Sequence, residues 1–198
     1  ADSKKSGVTT QLMTDPANDV TPVVDATQST TPVEVSESTL SGEVKGVDGF
    51  IGNSGEGVVV KANPEAKVDD NNITDLEVHV NKGQVENNEG DTLDVYGNGN
   101  KINDNKMQEK VSSHGNYNVL TANETFGFLT SEGDGNYLYD NFASLGIESI
   151  GDDNDIVNNR TEGDLKSVGD YNDISSNIVG GNLSSNGAHN EIAYNSVA

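Results

Sequence analysis

The chain has 198 residues, of which 32% are hydrophobic and 5% aromatic, and its formal net charge is −22 at pH 7. Globular proteins are about 45–50% apolar, so we expect no thick conventional core. The acidic excess excludes nucleic acid and anionic membranes as favourable partners, because their phosphates would be repelled. The absence of cysteine excludes disulfides and cysteine–zinc sites.

Residues 1–38 are rich in Thr, Val, Asp, Ser and Pro and show no sustained periodicity. This composition predicts a flexible N-terminal tail. The sequence lacks the apolar run of about 20 residues that a membrane span needs, and no signal-peptide pattern follows Ala1. We therefore expect a processed chain that is secreted to the extracellular space or the cell surface, without membrane insertion.

Residues 39–96 contain short alternating segments, such as residues 57–62 and 76–80, that are separated by breaks rich in Gly and Asn. They predict an irregular β region without a strict period. Its last part resembles a degenerate lead-in coil of the repeat that follows. Asn87 and Leu93 keep the register of that repeat, whereas Lys82 and Gln84 stand where Asn and Ile are expected.

Residues 97–198 consist of an 18-residue repeat, which gives five full coils and one partial coil. Each coil begins with glycine, as at Gly151; an Asn follows three residues later, and an aliphatic residue two residues after that. A second Asn follows, as at Asn159, and the other half of the coil carries an aliphatic residue and then Ser, as at Leu165 and Ser167. The first two columns are Asn100, Asn118, Asn136, Asn154, Asn172 and Asn190, and Ile102, Leu120, Leu138, Ile156, Ile174 and Ile192.

The two-residue spacings place Asn154 with Ile156, and Leu165 with Ser167, on one face of a strand. Each coil therefore reads as two short strands, and the predicted fold is an all-β, two-sided β-solenoid. Gly151 and Asn159 are expected at the two corners, where the backbone needs unusual φ values. A helix is disfavoured by the recurring Gly and Asn, and a hexapeptide β-helix by the lack of an aliphatic residue every six positions.

Stacked coils align each column into a ladder, so inward Asn amides can bond to the coils above and below. In the alternative interpretation, residues such as Asn154 only cap turns. The sequence reaches Ala198 with no atypical capping repeat, and solenoids that remain monomeric need such caps. We therefore predict a head-to-tail filament. Its growth edges are predicted at Asn190, Ile192 and Asn195 on one side, and at Asn87 and Leu93 on the other.

The coil resembles the repeat of curlins, the major subunits of curli amyloid fibres. The resemblance rests on Ser149, Gly151, Asn154 and Ile156, with Asn159 at the closing position, and it recurs over residues 97–198. Ser and Asn stand where curlins have Gln. The resemblance implies an extracellular, self-assembling structural fibre of biofilm matrix whose main partner is a second copy of itself.

Calcium binding is the alternative. The stretch GDGNYLYDN at residues 133–141 is similar to RTX repeats, which also form 18-residue coils. Two columns of acidic residues would offer oxygen ligands for Ca²⁺. If they bind no ion, exposed acids keep the protein soluble, and no cofactor is required. The columns are Asp134, Asp152 and Asp170, and Asp155, Asp173 and Glu191.

Enzyme chemistry is not expected. At the period of the repeat, His79, His114 and His189 fall in no shared column, so they predict neither a metal cluster nor a catalytic triad. The acidic columns are too regular to single out a catalytic pair. Outward tyrosines would serve as aromatic rungs or, in a sugar-binding adhesin, as stacking platforms. These tyrosines are Tyr117, Tyr137, Tyr139 and Tyr171.

Overall fold

The computed structural model describes residues 24–198 and the backbone of residues 8–9. Its strands form one 25-stranded parallel sheet that winds as a solenoid. Within residues 24–198 no helix is long and apolar enough to cross a membrane. The strands before the regular repeat are β1 Val8–Thr9, β2 Val24–Asp25, β3 Val33–Ser36, β4 Thr39–Ile51, β5 Ser54–Asp69, β6 Asn72–Ile73, β7 Asp75–His79, β8 Gln84–Glu86 and β9 Glu89–Tyr96.

The regular coils contain short strands of two to five residues, apart from β11, which has nine. These are β10 Lys101–Asn103, β11 Lys106–His114, β12 Val119–Thr121, β13 Glu124–Thr125, β14 Phe128–Glu132, β15 Tyr137–Tyr139, β16 Phe142–Ala143, β17 Gly146–Ile150, β18 Asp155–Val157, β19 Arg160–Thr161, β20 Asp164–Val168, β21 Asp173–Ser175, β22 Ile178–Val179, β23 Leu183–Asn186, β24 Glu191–Ala193 and β25 Ser196–Val197.

Strands one coil apart pair in parallel and in register, which confirms the predicted all-β solenoid with 18-residue coils. Each full coil from residue 115 to residue 186 contains three strands rather than the expected two. In the coil of residues 151–168, these are β18, β19 and β20. The additional strand is the two-residue β19, whose buried Thr161 belongs to no column of uniform chemistry. The sequence pattern therefore did not reveal it.

The solenoid extends back through the region that was predicted to be irregular. Strands β4 and β5 have 13 and 16 residues, and their pairing contains register shifts. Strands β2 and β3 lie within the predicted tail, yet both pair with β4. Residues 1–7 and 10–23 of that tail lie outside the described part of the chain. Among the described residues, the solenoid therefore begins earlier than residue 39.

The core is a thin stack of single side chains. The column that includes Ile156 is fully buried from Ile102 to Ile174, and so are Val111, Leu129 and Leu165 in the second column. A third inward column was not predicted, because its members differ in size and polarity although all are buried. Its members are Met107, Thr125, Ala143, Thr161 and Val179.

The corners confirm one expectation and correct another. Gly151 has φ 137°, and a Cβ atom there would lie 2.0 Å from the carbonyl oxygen of Gly133, so the coils stack too closely for a side chain. The second corner is at Asn158, with φ 58°, and not at the predicted Asn159. Asn159 is buried instead, because the left-handed residue before it turns the chain so that its amide points inward.

The lead-in coil is shifted by one residue from the predicted register. Val85, not Gln84, pairs with Ile102, and the N–H of Gly83, not Lys82, donates to Oδ1 of Asn100 at 2.8 Å. The pairing of β9 with β11 changes register between Met107 and Lys110. The coil that begins at Gly97 therefore has one residue more at this point than the coil before it.

Candidate functional site

Two columns of buried asparagines connect neighbouring coils. Ladder 1 consists of the asparagines that follow the coil glycines, from Asn100 to Asn190. Ladder 2 consists of those that follow the aliphatic residues, from Asn105 to Asn195. In both ladders, the backbone N–H of each Asn donates to the side-chain Oδ1 of the Asn 18 residues later, as in the bonds Asn154–Asn172 and Asn159–Asn177.

Ladder 2 is densely hydrogen-bonded. Both the backbone N and Nδ2 of Asn141 donate to Oδ1 of Asn159, at 3.0 and 2.9 Å, and Nδ2 also donates to the carbonyl oxygen of Leu120 at 2.8 Å. The same column continues back through the irregular coils, at intervals of 15, 18, 17 and 17 residues. Its earlier members are Ser38, Asn53, Asn71 and Asn88.

Ladder 1 is less completely bonded. Nδ2 of Asn118 donates to Oγ of Ser113 at 3.1 Å, and Nδ2 of Asn190 donates to Oγ of Ser185 at 3.0 Å. In the three coils between them, the corresponding amide nitrogens and serine hydroxyls find no partner among the described residues, although they are buried. An unpaired buried polar group costs about 1–3 kcal/mol. Ladder 1 therefore contributes less stability per coil than ladder 2.

The first acidic column has a structural role on the surface. Oδ1 of Asp134 accepts the backbone N–H of Asp152 at 2.8 Å, and Oδ1 of Asp152 accepts that of Asp170 at 2.7 Å. Asn98 and Asn116 act in the same way in earlier coils. Asn and Asp exchange freely at this position because each offers a side-chain oxygen to the next coil. Among residues 24–198, no group of three or more His, Asp or Glu side chains could hold a metal ion.

The second acidic column places like charges next to each other. Asp155 pairs in register with Asp173, and Asp173 with Glu191, at the strand spacing of about 4.8 Å. Partial burial raises the pKa of Asp155, and the carboxylates of Asp173 and Asp153 raise it further. This face therefore carries unrelieved repulsion.

Two histidines share a column, contrary to the sequence-based expectation. The rings of His79, Tyr96 and His114 stack with centroid distances of 4.8 and 4.5 Å. The expectation failed because the interval from His79 to Tyr96 is one residue shorter than the interval from Tyr96 to His114. Nδ1 of His114 lies 3.0 Å from Oε2 of Glu132, and His79 contacts Glu77.

Burial raises the pKa of the Tyr96 hydroxyl, and the nearby carboxylates of Asp94 and Glu77 raise it further. His189 lies in another column, where its ring stacks on Tyr171 at 4.9 Å.

The two predicted growth edges differ in their exposure to solvent. Ile192 is 51% exposed, whereas Ile174, on which it stacks, is fully buried. Nδ2 of Asn190 and Nδ2 of Asn195 donate back to the preceding coil, to the carbonyl oxygens of Gly169 and Ile174.

The prediction of an edge at Asn87 and Leu93 is wrong. Leu93 is fully buried, with Leu76 on one side and Val111 on the other. The irregular coils continue the stack past it. Asn88, not Asn87, belongs to ladder 2, while Asn87 is exposed and donates to Asp69.

Two of the outward tyrosines are largely exposed, Tyr117 at 71% and Tyr171 at 60%. Tyr137 and Tyr139 project from one side of β15, with parallel rings 5.8 Å apart.

No model of a known protein family matches the chain, and neither a curated protein nor a solved structure matches it. The curlin resemblance therefore stays a prediction, while the parallel β-solenoid is established.

Proposed function

We propose that the protein is the structural subunit of an extracellular, self-assembling fibre. The observation that carries this proposal is ladder 2, in which each Asn bonds to the coils on both sides. Asn141, for example, donates to Asn159 in the next coil and to Leu120 in the previous one. Such bonds need matched coils but not a continuous chain, so a coil from another molecule could make them equally well.

The regular coils also supply a matched apolar surface. Ile174 and Ile192 stack in register, and a further aliphatic side chain on Ile192 would remove its exposed surface from water. Head-to-tail addition therefore extends the aliphatic column and ladder 2 together, because these two columns run back to Val35 and Ser38 in the first described coils. A fibre of this kind needs no catalytic residue. The net charge of −22 on each subunit would keep the free subunit soluble.

Electron microscopy and fibre diffraction of purified protein, with Ca²⁺ or with a chelator, test the proposal. We expect filaments in both conditions, with a meridional reflection at about 4.8 Å. Ile192→Asp should slow elongation of preformed seeds more than about tenfold, because it would bury an unpaired charge at the junction. Ala193→Asp is the matched control, since Ala193 lies on the other side of β24. Protein that stays monomeric at all concentrations, or equal elongation by both variants, would refute the proposal.

A surface adhesin is the second candidate function, and the exposure of Tyr117 and Tyr171 favours it. Exposed aromatic rings on a rigid solenoid are suitable platforms for sugar rings. If the protein becomes ordered only with Ca²⁺, or if it binds glycans without forming filaments, this candidate replaces the fibre. Tyr171→Ala should then abolish glycan binding while the fold is retained.

A further inference from the structure

One outward column changes in charge along the solenoid axis. It lies on the outer side of β10 and of the strands that stack in register with β10. Towards the N-terminus this column carries Lys67 and Lys101, with Gln84 between them. Towards the C-terminus it carries only acids, which are Asp155, Asp173 and Glu191. We call the sheet surface that presents this column the graded face.

Apolar side chains lie between the two charged ends of the graded face. Val119 and Tyr137 continue the column, and Tyr139 and Val157 lie beside them in the second outward column of the same strands. Val119 is 37% exposed and Tyr139 is 39% exposed. The graded face therefore has a basic end, an apolar centre and an acidic end.

The acidic end has no counter-charge of its own. Within residues 24–198, no Lys, Arg or His forms an ion pair with Asp155, Asp173 or Glu191. Partial burial and the carboxylates of Asp173 and Asp153 raise the pKa of Asp155. Oδ1 of Asp173 is buried and accepts no hydrogen bond from the described residues. Cations that approach from outside the chain would relieve this repulsion.

We propose that the graded face is the contact between two copies of this chain that lie side by side and antiparallel. A two-fold axis parallel to the strands reverses the order of the coils but keeps each column opposite itself. The axis passes between β12 and β15, so that Val119 meets Tyr137 of the second copy at the apolar centre. With the axis at this position, every coil of the face from Lys67 to Glu191 has a partner coil.

The charges of the first column match across this axis. Lys101 meets Asp155 of the second copy, and Lys67 meets Glu191 of the second copy. The amide of Gln84 meets Asp173 of the second copy. Each pair occurs twice, and each supplies a cation or a hydrogen-bond donor to a carboxylate that has no counter-charge in its own chain.

The second outward column is compatible with the same axis. Its acids Asp69 and Glu86 lie at the basic end, where they form ion pairs with the lysines of the first column. Across the contact they meet Ala193 and Ser175 of the second copy, which are uncharged. A parallel pair would instead bring the two acidic ends together, which is repulsive.

The size of the graded face indicates a weak contact. Seven successive pairings link eight coils from Lys67 to Glu191, and these coils span about 34 Å at the strand spacing. Three strand residues and a corner residue on each side give a width of about 17 Å. The contact would therefore bury about 600 Å² on each copy, near the lower limit for specific interfaces. We expect a reversible dimer.

This contact is independent of the proposed fibre, because head-to-tail stacking uses the ends of the solenoid, whereas the graded face lies on its side. The two proposals can therefore fail separately. Lys101→Glu should weaken side-by-side pairing and leave the elongation of preformed seeds intact, and Ile192→Asp should do the reverse.

Sedimentation velocity of filament-free protein over a concentration series tests the pairing. We expect a dimer that Lys101→Glu weakens at least about tenfold. Lys166→Glu is the matched control on another face. The Lys166 side chain is 52% exposed and that of Lys101 is 54% exposed, and each pairs with a glutamate of the preceding coil. A protein that is monomeric throughout, or a dimer that Lys101→Glu weakens no more than Lys166→Glu does, would overturn the proposal.

A charge-exchange experiment tests which residues meet. In the Lys101→Glu homodimer the new carboxylate would face Asp155, and in the Asp155→Lys homodimer the new ammonium group would face Lys101, so both homodimers are disfavoured. A mixed dimer of the two variants has an attractive pair at both places. An equimolar mixture should thus dimerise at least about tenfold more tightly than either variant alone. Mixing cannot rescue a misfolded chain, so this gain would report the contact itself. A mixture that dimerises no better than its components would overturn the antiparallel arrangement.

Discussion

Asn141 and Asn159 occupy the same position in neighbouring coils, and Oδ1 of Asn159 accepts both the backbone N–H and the side-chain N–H of Asn141. Each ladder 2 amide is thus an acceptor for the coil before it and a donor to the coils on both sides. This relationship repeats without interruption from Asn53 to Asn195. It makes the amides of ladder 2 the most sensitive polar groups of the solenoid.

Asn159→Ala should therefore be more damaging than Asn154→Ala. The first change leaves the buried N–H of Asn141 without an acceptor and removes the donor to Leu138 and Asn177, so we expect a loss of about 3–4 kcal/mol. The second also leaves the N–H of Asn136 without its acceptor, but the amide nitrogen that it removes has no partner among the described residues, so a smaller loss of about 1–2 kcal/mol is expected. Urea denaturation midpoints measure the difference. Equal losses would show that the two ladders are energetically equivalent.

Ile156→Asp should unfold the regular coils, whereas Val157→Asp should be tolerated. Ile156 is fully buried between Leu138 and Ile174, and an unpaired carboxylate there would cost several kcal/mol, about 3–5. Val157 lies on the outer side of the same strand. Circular dichroism and thermal melting would show the difference, and similar melting of both variants would contradict the assigned faces.

Gly151→Ala should destabilise far more than Gly57→Ala. A Cβ at residue 151 would lie 2.0 Å from the carbonyl oxygen of Gly133, so the coils would have to separate. At Gly57 the φ value is 60° and no atom lies within 4 Å of the added Cβ. Gly57→Ala, the control, should therefore lower the free energy of unfolding only by the cost of the left-handed conformation, about 1 kcal/mol. Gly151→Ala should lower it by about 3 kcal/mol or more. If both variants denature at the same urea concentration, close coil contact does not explain the glycine column.

Asp155→Asn should stabilise the protein at pH 7 and have little effect in acid. The pKa of Asp155 is raised in the folded state by burial and by Asp173 and Asp153, so the folded protein holds its proton more tightly than the unfolded chain does. The contribution of this group to stability therefore increases as the pH falls from neutral through the folded pKa, and it levels off below the unfolded pKa of about 3.9. Melting temperatures of the variant and the unmodified protein, measured at about a dozen pH values between pH 3.5 and pH 8, would reveal the effect.

Asp25→Asn should have the opposite effect on the pH dependence of stability. Hydrogen bonds from the Thr27 hydroxyl and the Thr27 backbone N–H lower the pKa of Asp25. Its stabilising contribution is present above the unfolded pKa and is lost as the pH falls through the folded value. The two variants should thus shift the pH profile in opposite directions, and a shift in the same direction would contradict the assigned causes.

The sequence alone determined the stacking and the 18-residue period of the regular coils, but not the number of strands in each coil. Glycine, asparagine and an aliphatic residue recur at one constant interval from Gly97 to Asn195, and only stacked, in-register coils satisfy such columns together. Because the same residue type recurs at these positions in each coil, the sequence identified the side chains of Ile156 and Asn154 as pointing inward. It could not identify the column of Thr161, because the members of that column are all buried but differ in size and polarity.

Tertiary structure decided what does not repeat at a constant interval. The shorter spacings of the irregular coils place His79 next to Tyr96 in one column and assign Asn88 to ladder 2. Only the pairing of strands shows at which point these coils are one residue shorter than the regular coils. Asn158 and Asn159 are identical in type, yet one turns the corner and the other is buried. Residue type alone could not separate them, because either Asn tolerates the left-handed conformation of a corner; the hydrogen bonds of Asn159 to the coils on both sides show that its amide is the buried one.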